Sequence, residues 1–232
     1  VGKWMLTILI LIGLALLTHY LPFSDFFRNL DTMIHESGHA LTTLLLQGSV
    51  MEIELYVDHS GVTRSAVSQP WAIIPIALSG YMMASLFAWL LFALYAKGKH
   101  RAGLILMASL AALVLLLFVR NEFGVLWLIG FLIFTILAIV FGGKNVVGKW
   151  VFLIVAFLTL EESVFGPFSL VYYALSRPGG AGDATILSNE TPIPALIWAI
   201  WFTLFSLWCA KQAITAFLGG KRRTEGPLRS RG

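Results

Sequence analysis

Seven apolar stretches, at 4–22, 30–47, 71–96, 103–119, 123–142, 149–175 and 192–218, fill most of a chain of 232 residues. A bilayer core takes about 20 apolar helical residues, so most of these stretches are long enough to cross one. Hydrophobic residues make up 58% of the chain and charged residues 12%, against about 25% charged in an ordinary soluble domain. One core of this size cannot bury so much apolar surface, and the surplus must face lipid. The expected fold is therefore an all-α polytopic membrane protein with six or seven apolar helices. No tandem repeat and no long linker divides it, so residues 1–232 read as a single membrane-embedded domain ending in a basic tail, 219–232. The first stretch follows a lone Lys3 and has no small-residue cleavage site before Pro22, which marks it as a retained helix.

Charge placement orients the helices. Lys97, Lys99 and Arg101 set one connection on the cytoplasmic side, Lys144 and Lys149 another, and Lys221 onward the tail; Arg120, Glu122 and Arg177 then fall outside. The tail is a topology anchor rather than a nucleic-acid arm, because it directly follows an apolar helix. The bilayer is the expected partner and nucleic acid is not. Cys209, the only cysteine, reads as a packing residue in an apolar helix.

The second stretch is the least apolar and opens with Asn29-Leu30-Asp31-Thr32, where Asp31 is placed as a helix N-cap. Within it stands His35-Glu36-Ser37-Gly38-His39. Histidines four apart lie about 40° beyond one helical turn, so both imidazoles leave one face and can grip one metal ion. Glu36 projects about 100° from His35, too far round to join them as a ligand but within reach of a water at the same metal. Bound zinc lowers the pKa of such a water toward about 7, and Glu36 can take its proton and later pass it to a leaving amine. Gly38 keeps the helix thin for close approach. Polar residues so arranged in a segment about to enter lipid are expensive without a function. His19, His59 and His100 stand alone and read as interfacial or loop residues.

After Gln47-Gly48 the period changes to two. Met51, Ile53, Leu55 and Val57 alternate with Glu52, Glu54, Tyr56 and Asp58, and Asp58-His59-Ser60-Gly61 is turn-like, so a short β-hairpin is expected after the motif helix. A zinc site of this type takes a third protein ligand and keeps one position open. Without further Cys or nearby His the ligand is a carboxylate: Asp183 in Gly182-Asp183-Ala184, or Glu161 or Glu162, which lie within an apolar run.

The motif His35-Glu36-Ser37-Gly38-His39-Ala40, the strand-like stretch after it, and Gly182-Asp183-Ala184 ahead of Thr191-Pro192-Ile193-Pro194-Ala195 and Trp198 resemble the site-2 protease family of intramembrane zinc metalloproteases, in its small bacterial peptidase-like branch. The likeness spans about residues 30–215 and lacks the family's usual Asn-Pro-x-x-Asp-Gly arrangement. It implies a multi-pass protein of a bacterial cell membrane that cleaves membrane-embedded protein or peptide substrates. It also implies Zn2+ held by His35, His39 and Asp183, with Glu36 as general base.

Topology separates the carboxylates. If all seven stretches cross, His35 and Asp183 lie on opposite faces, while Glu161 or Glu162 lies at a compatible depth. If residues 30–70 dip in and return, six crossings remain, both termini are cytoplasmic in agreement with Lys3, and His35 shares a face with Asp183. The second arrangement is preferred. Two other functions compete with proteolysis. One is a metal-dependent sensor, transporter or degenerate relative, since buried acids such as Glu161 and Glu162 also mark ion pathways. The other, a soluble peptidase tethered by helices, has no connecting segment large enough to form it. In the protease reading, the strand 50–58 is the one that pairs with an unwound substrate, and proline at Ile53 or Leu55 should abolish cleavage.

Overall fold

The structure is a computed structural model, and it describes residues 2–20, 24–142, 146–177 and 179–224. In chain order these form α1 (Gly2–Tyr20), α2 (Ser24–Leu45), β1 (Ser49–Leu55), β2 (Gly61–Ala66), a 3-10 turn (Pro70–Ala72), α3 (Ile73–Ala96), α4 (His100–Leu117), α5 (Glu122–Gly142), α6 (Val146–Ser176), α7 (Gly182–Glu190) and α8 (Ala195–Thr224). Five helices, at Pro70–Ala96, His100–Leu117, Glu122–Gly142, Val146–Ser176 and Ala195–Gly219, are long and apolar enough to cross a bilayer; Gly2–Leu16 is a shorter apolar helix. The second apolar stretch is not among the five. The basic tail begins as a continuation of α8 through Thr224, and residues 225–232 lie outside the described residues.

The bundle core is built from Leu30, Met33 and Ile34 of α2, Leu91 and Phe92 of α3, Leu104 and Met107 of α4, Phe131 of α5 and Phe152 of α6. Leu116, Leu126, Val140, Phe141 and Val147 point outward, as lipid-facing positions require. Hydroxyls inside the helices are satisfied locally: Thr135 donates to the Phe131 carbonyl at 2.8 Å and Thr159 to that of Val155 at 2.9 Å. No water is present in a bilayer core to do this instead.

Helix α2 begins earlier than its polarity suggested. Phe26 packs on Trp127 and Phe131, and Phe27 on Phe134, so the aromatic pair ahead of the motif is drawn into the bundle. Asp25 stands in the first turn, where a carboxylate suits the helix dipole. Asp31 is therefore buried within α2 rather than an N-cap. The helix runs antiparallel to α3: His39 lies against Ile76, and Gly38 against Ser79 and Met83.

The hairpin is amphipathic. Ile53 faces Thr63 and Leu55 faces Gly61 across the ladder, and Ile53 and Leu55 are fully buried. On the other face Arg64 reaches Glu52 at 3.2 Å and Glu54 at 2.9 Å. A bulge between Val50 and Glu52 breaks the expected alternation and leaves Met51 exposed, while Val57 lies beyond the strand and is also exposed.

The outer edge of β1 is occupied. The Ile53 N–H donates to the Phe118 carbonyl at 3.0 Å. Asn121 accepts from the Leu55 N–H at 3.2 Å and donates to its carbonyl at 2.5 Å. The α4–α5 connection thus holds the hairpin against the bundle. Asn121→Ala should strand both Leu55 groups and cost roughly 1–3 kcal/mol. A lowered thermal midpoint in detergent, with faster proteolytic nicking at 56–60, is the expected result; an unchanged midpoint would contradict this docking role.

Candidate metal centre

Two elements deliver one side chain set. His35 and His39 come from the middle of α2, and Asp183 from the first turn of α7. Their ligand atoms lie within 4.8 Å of one another, the one such group of three among the described residues. The two Nε2 atoms are 2.9 Å apart, and Asp183 Oδ2 lies 3.2 Å from that of His35 and 3.3 Å from that of His39.

The donor set fits a metal ion. His39 Nδ1 lies 2.7 Å from the Ile76 carbonyl, which can only accept, so the ring proton sits on Nδ1 and Nε2 presents a bare lone pair. That lone pair converges with His35 Nε2 and with a buried Asp183 Oδ2 that has no hydrogen-bond donor. Acceptors so grouped call for a cation between them. A tetrahedral site with bonds of about 2.1 Å has edges of about 3.4 Å, near the spacings seen here. A backbone carbonyl fixing the far ring nitrogen is the usual support for a ligating histidine.

Close helix approach makes the geometry possible. A Cβ on Gly38 would lie 2.8 Å from the Ser79 carbonyl oxygen, and one on Gly80 would lie 2.6 Å from His35 Nε2 and 2.7 Å from His39 Cε1. The approach that Gly38 permits is made by α3. Tyr81 on α3 then packs edge-to-face on His35, with ring centroids 4.4 Å apart. Asp183 is placed by Gly182, whose φ of +48° turns the chain sharply into α7. Ala181, Ala184 and Leu187 anchor α7 on Ala77 of α3 and on Ala199 and Phe202 of α8.

Glu36 is buried one step round from the ligands, and its Oε2 accepts a 2.6 Å hydrogen bond from the Thr63 hydroxyl. Glu161 and Glu162 are not part of the cluster: Glu161 is buried on α6, and Glu162 pairs with Arg28 at 2.6 Å. With His35 beside Asp183, the seven-crossing arrangement fails, because it puts them on opposite faces. A cavity of about 990 Å3 opens over the site, lined by α2, the hairpin, α3, α6 and α7, including His35, Glu36, His39, Thr63, Tyr81 and Asp183. Gly80, Tyr81 and Thr63 were not singled out in the sequence. The signal for the first two was the Ser79-Gly80-Tyr81 break in an apolar helix, since a glycine there marks close approach.

Fold and site together define a polytopic helical membrane protein with a two-histidine, one-carboxylate group that could hold a metal ion. Residues 6–213 match the Peptidase M50B-like family, and the chain belongs to it, a family of membrane metallopeptidases of the site-2 protease kind. No curated protein and no solved structure matches the chain.

If the α2–α3 gap sets the ligand geometry, Gly80→Val should displace both imidazoles. Metal content by elemental analysis is expected to fall well below one per chain while far-UV circular dichroism stays helical. Full metal occupancy in that variant would show that the glycine is only a packing residue.

Proposed function

We propose that this protein is an intramembrane zinc metalloendopeptidase that hydrolyses peptide bonds of membrane-associated substrates. The convergence of His35, His39 and Asp183 beside a buried Glu36 carries this reading. These three residues would hold zinc and leave a fourth position toward the cavity. When bound, zinc would supply the Lewis acidity that polarises a carbonyl and makes water acidic near neutral pH. Glu36 takes the proton from the attacking water and returns it to the leaving amine. The site lies about 10 Å along α3 from its start, by helical rise from Ile73 to Gly80, on a helix long and apolar enough to cross a bilayer.

The substrate would enter as an extended strand, but on β2 rather than β1. Because the backbone of Ile53 and Leu55 turns toward residues 118–121, that edge is closed, and proline at those buried positions would disturb the fold rather than test substrate pairing. Their ladder partners Thr63 and Gly61 turn the other way, toward an edge that no other strand among the described residues covers. Gly61, Thr63 and Ser65 also line the cavity. A peptide adding to this edge would be held by main-chain hydrogen bonds in an order that unwinds a helix and exposes its amides.

Expected outcomes follow for metal and for turnover. Wild type should carry about one zinc, lost in His35→Ala and Asp183→Ala but kept in Glu162→Ala and Glu36→Gln. Glu36→Gln should lower cleavage of a reconstituted single-span substrate by roughly 10²–10⁴-fold; metal-dependent transport or signalling that survives this change would favour the non-proteolytic reading instead. Ser65→Pro removes one outward amide from the β2 edge, where proline is tolerated. It should raise KM with zinc content intact, and an unchanged KM would rule out strand addition at this edge.

A further inference from the structure

We propose that Thr63 is a positioning residue for the base, fixing one oxygen of Glu36 so that the other is presented to the reacting water, and that it ties this function to the strand that receives substrate. The inference rests on the protease reading and assigns the hairpin a second role within it. Glu36 sits on α2 and Thr63 on β2, 27 residues apart in sequence. The Thr63 hydroxyl lies 2.6 Å from Glu36 Oε2, in the range of a charge-assisted O–H···O bond. The Glu36 main-chain oxygen is 3.1 Å from the same hydroxyl, so the threonine is seated against the turn of α2 that carries the base.

Glu36 Oε1 is treated differently. It faces Gly61, where a Cβ would come within 2.8 Å of both Oε1 and Cγ. Glycine there leaves the second oxygen its space, while threonine two residues on anchors the first. A glutamate has three side-chain torsions to fix, and a catalytic group must be held to about 0.5 Å by its neighbours. Within the described contacts the hydroxyl of Thr63 is the side-chain donor that does so. The same residue directs its own N–H and C=O to the open edge of β2, by its pairing opposite Ile53. A strand added at that edge would stiffen Thr63 and hence the carboxylate, so base orientation and substrate occupancy are coupled through one residue.

The test uses the full-length, zinc-loaded protein in detergent, with Thr63→Val and Thr63→Ser beside wild type. Valine keeps the shape and removes the donor; serine keeps the donor. Thr63→Val should lose roughly 10- to 100-fold in kcat, with little change in KM and unchanged zinc content, and Thr63→Ser should recover most of the loss. A second arm does not need turnover. Binding of a dipeptidyl hydroxamate, whose hydroxyl hydrogen-bonds the base beside the metal, should weaken about 10-fold in Thr63→Val and be restored in Thr63→Ser. In a Glu36→Gln background the valine change should have much less effect on that affinity. Equal kcat and hydroxamate affinity in Thr63→Val and wild type would overturn the proposal. So would a loss shared by Thr63→Ser or accompanied by loss of zinc, which would make Thr63 merely structural. A wild type that binds zinc and hydroxamate yet cleaves no peptide would sink the protease reading alone, and the hydroxamate arm would still decide the role of Thr63.

Discussion

Helices α2 and α3 approach closely where each carries a glycine, and the site depends on that contact. Gly38 removes the bulk on one helix and Gly80 on the other, so edges of the His35 and His39 rings come up to the α3 backbone at Gly80. The Ile76 carbonyl is close enough to fix the His39 tautomer only because of this approach. In an apolar setting, three acceptor groups packed together are costly, since nothing in the surroundings solvates them. A bound cation would offset that cost, and helix α7 completes the set by lowering Asp183 onto the two rings. Its seat on Ala77, Ala199 and Phe202 ties the third ligand to the same helix α3 that positions the other two.

A two-stranded sheet is an unusual component for a helical membrane protein, because an unpaired strand edge in lipid leaves backbone groups without partners. The two edges here are handled differently. The β1 edge is closed by Phe118 and Asn121, which supply both a backbone acceptor and a side-chain amide. The β2 edge borders the cavity, where non-helical backbone is tolerated because it is shielded from the hydrocarbon. The open edge is therefore confined to the face where a bound chain could satisfy it.

Composition alone made the membrane class legible, and the strict two-residue period after Gly48 announced the hairpin. His35, Glu36 and His39 were legible because their spacing is a single-helix property. Asp183 was one of three carboxylates that elimination left open, and only the resemblance and the re-entrant topology favoured it: it lies 144 residues beyond His39 (183 − 39), and no local pattern relates the two. Glu161 and Glu162 competed with it because a buried acid looks alike whether it meets a metal or, as Glu162 does, an arginine such as Arg28. The N-cap placed at Asp31 failed for a tertiary reason, the burial of Phe26 and Phe27 against α5. Which hairpin edge is open could not be read from alternation, since alternation assigns faces and says nothing about edges.

The environment of Glu36 bears on whether the centre performs chemistry or only holds a metal. A protein that merely senses or carries a cation needs the ligands and has no use for an acid one residue from them. An unanchored carboxylate there would be a liability, free to swing toward the cation and take up a coordination position. Here the acid is anchored instead, with Oε2 on Thr63 and Oε1 beside Gly61, on the hairpin side of the motif helix. The residue that anchors one oxygen and the glycine that leaves room for the other belong to the strand whose free edge borders the cavity. Orienting a base from the strand that would receive the scissile segment is sensible for hydrolysis, because base and peptide are then registered to one another by a single rigid element. That arrangement has no counterpart in what transport or sensing would require.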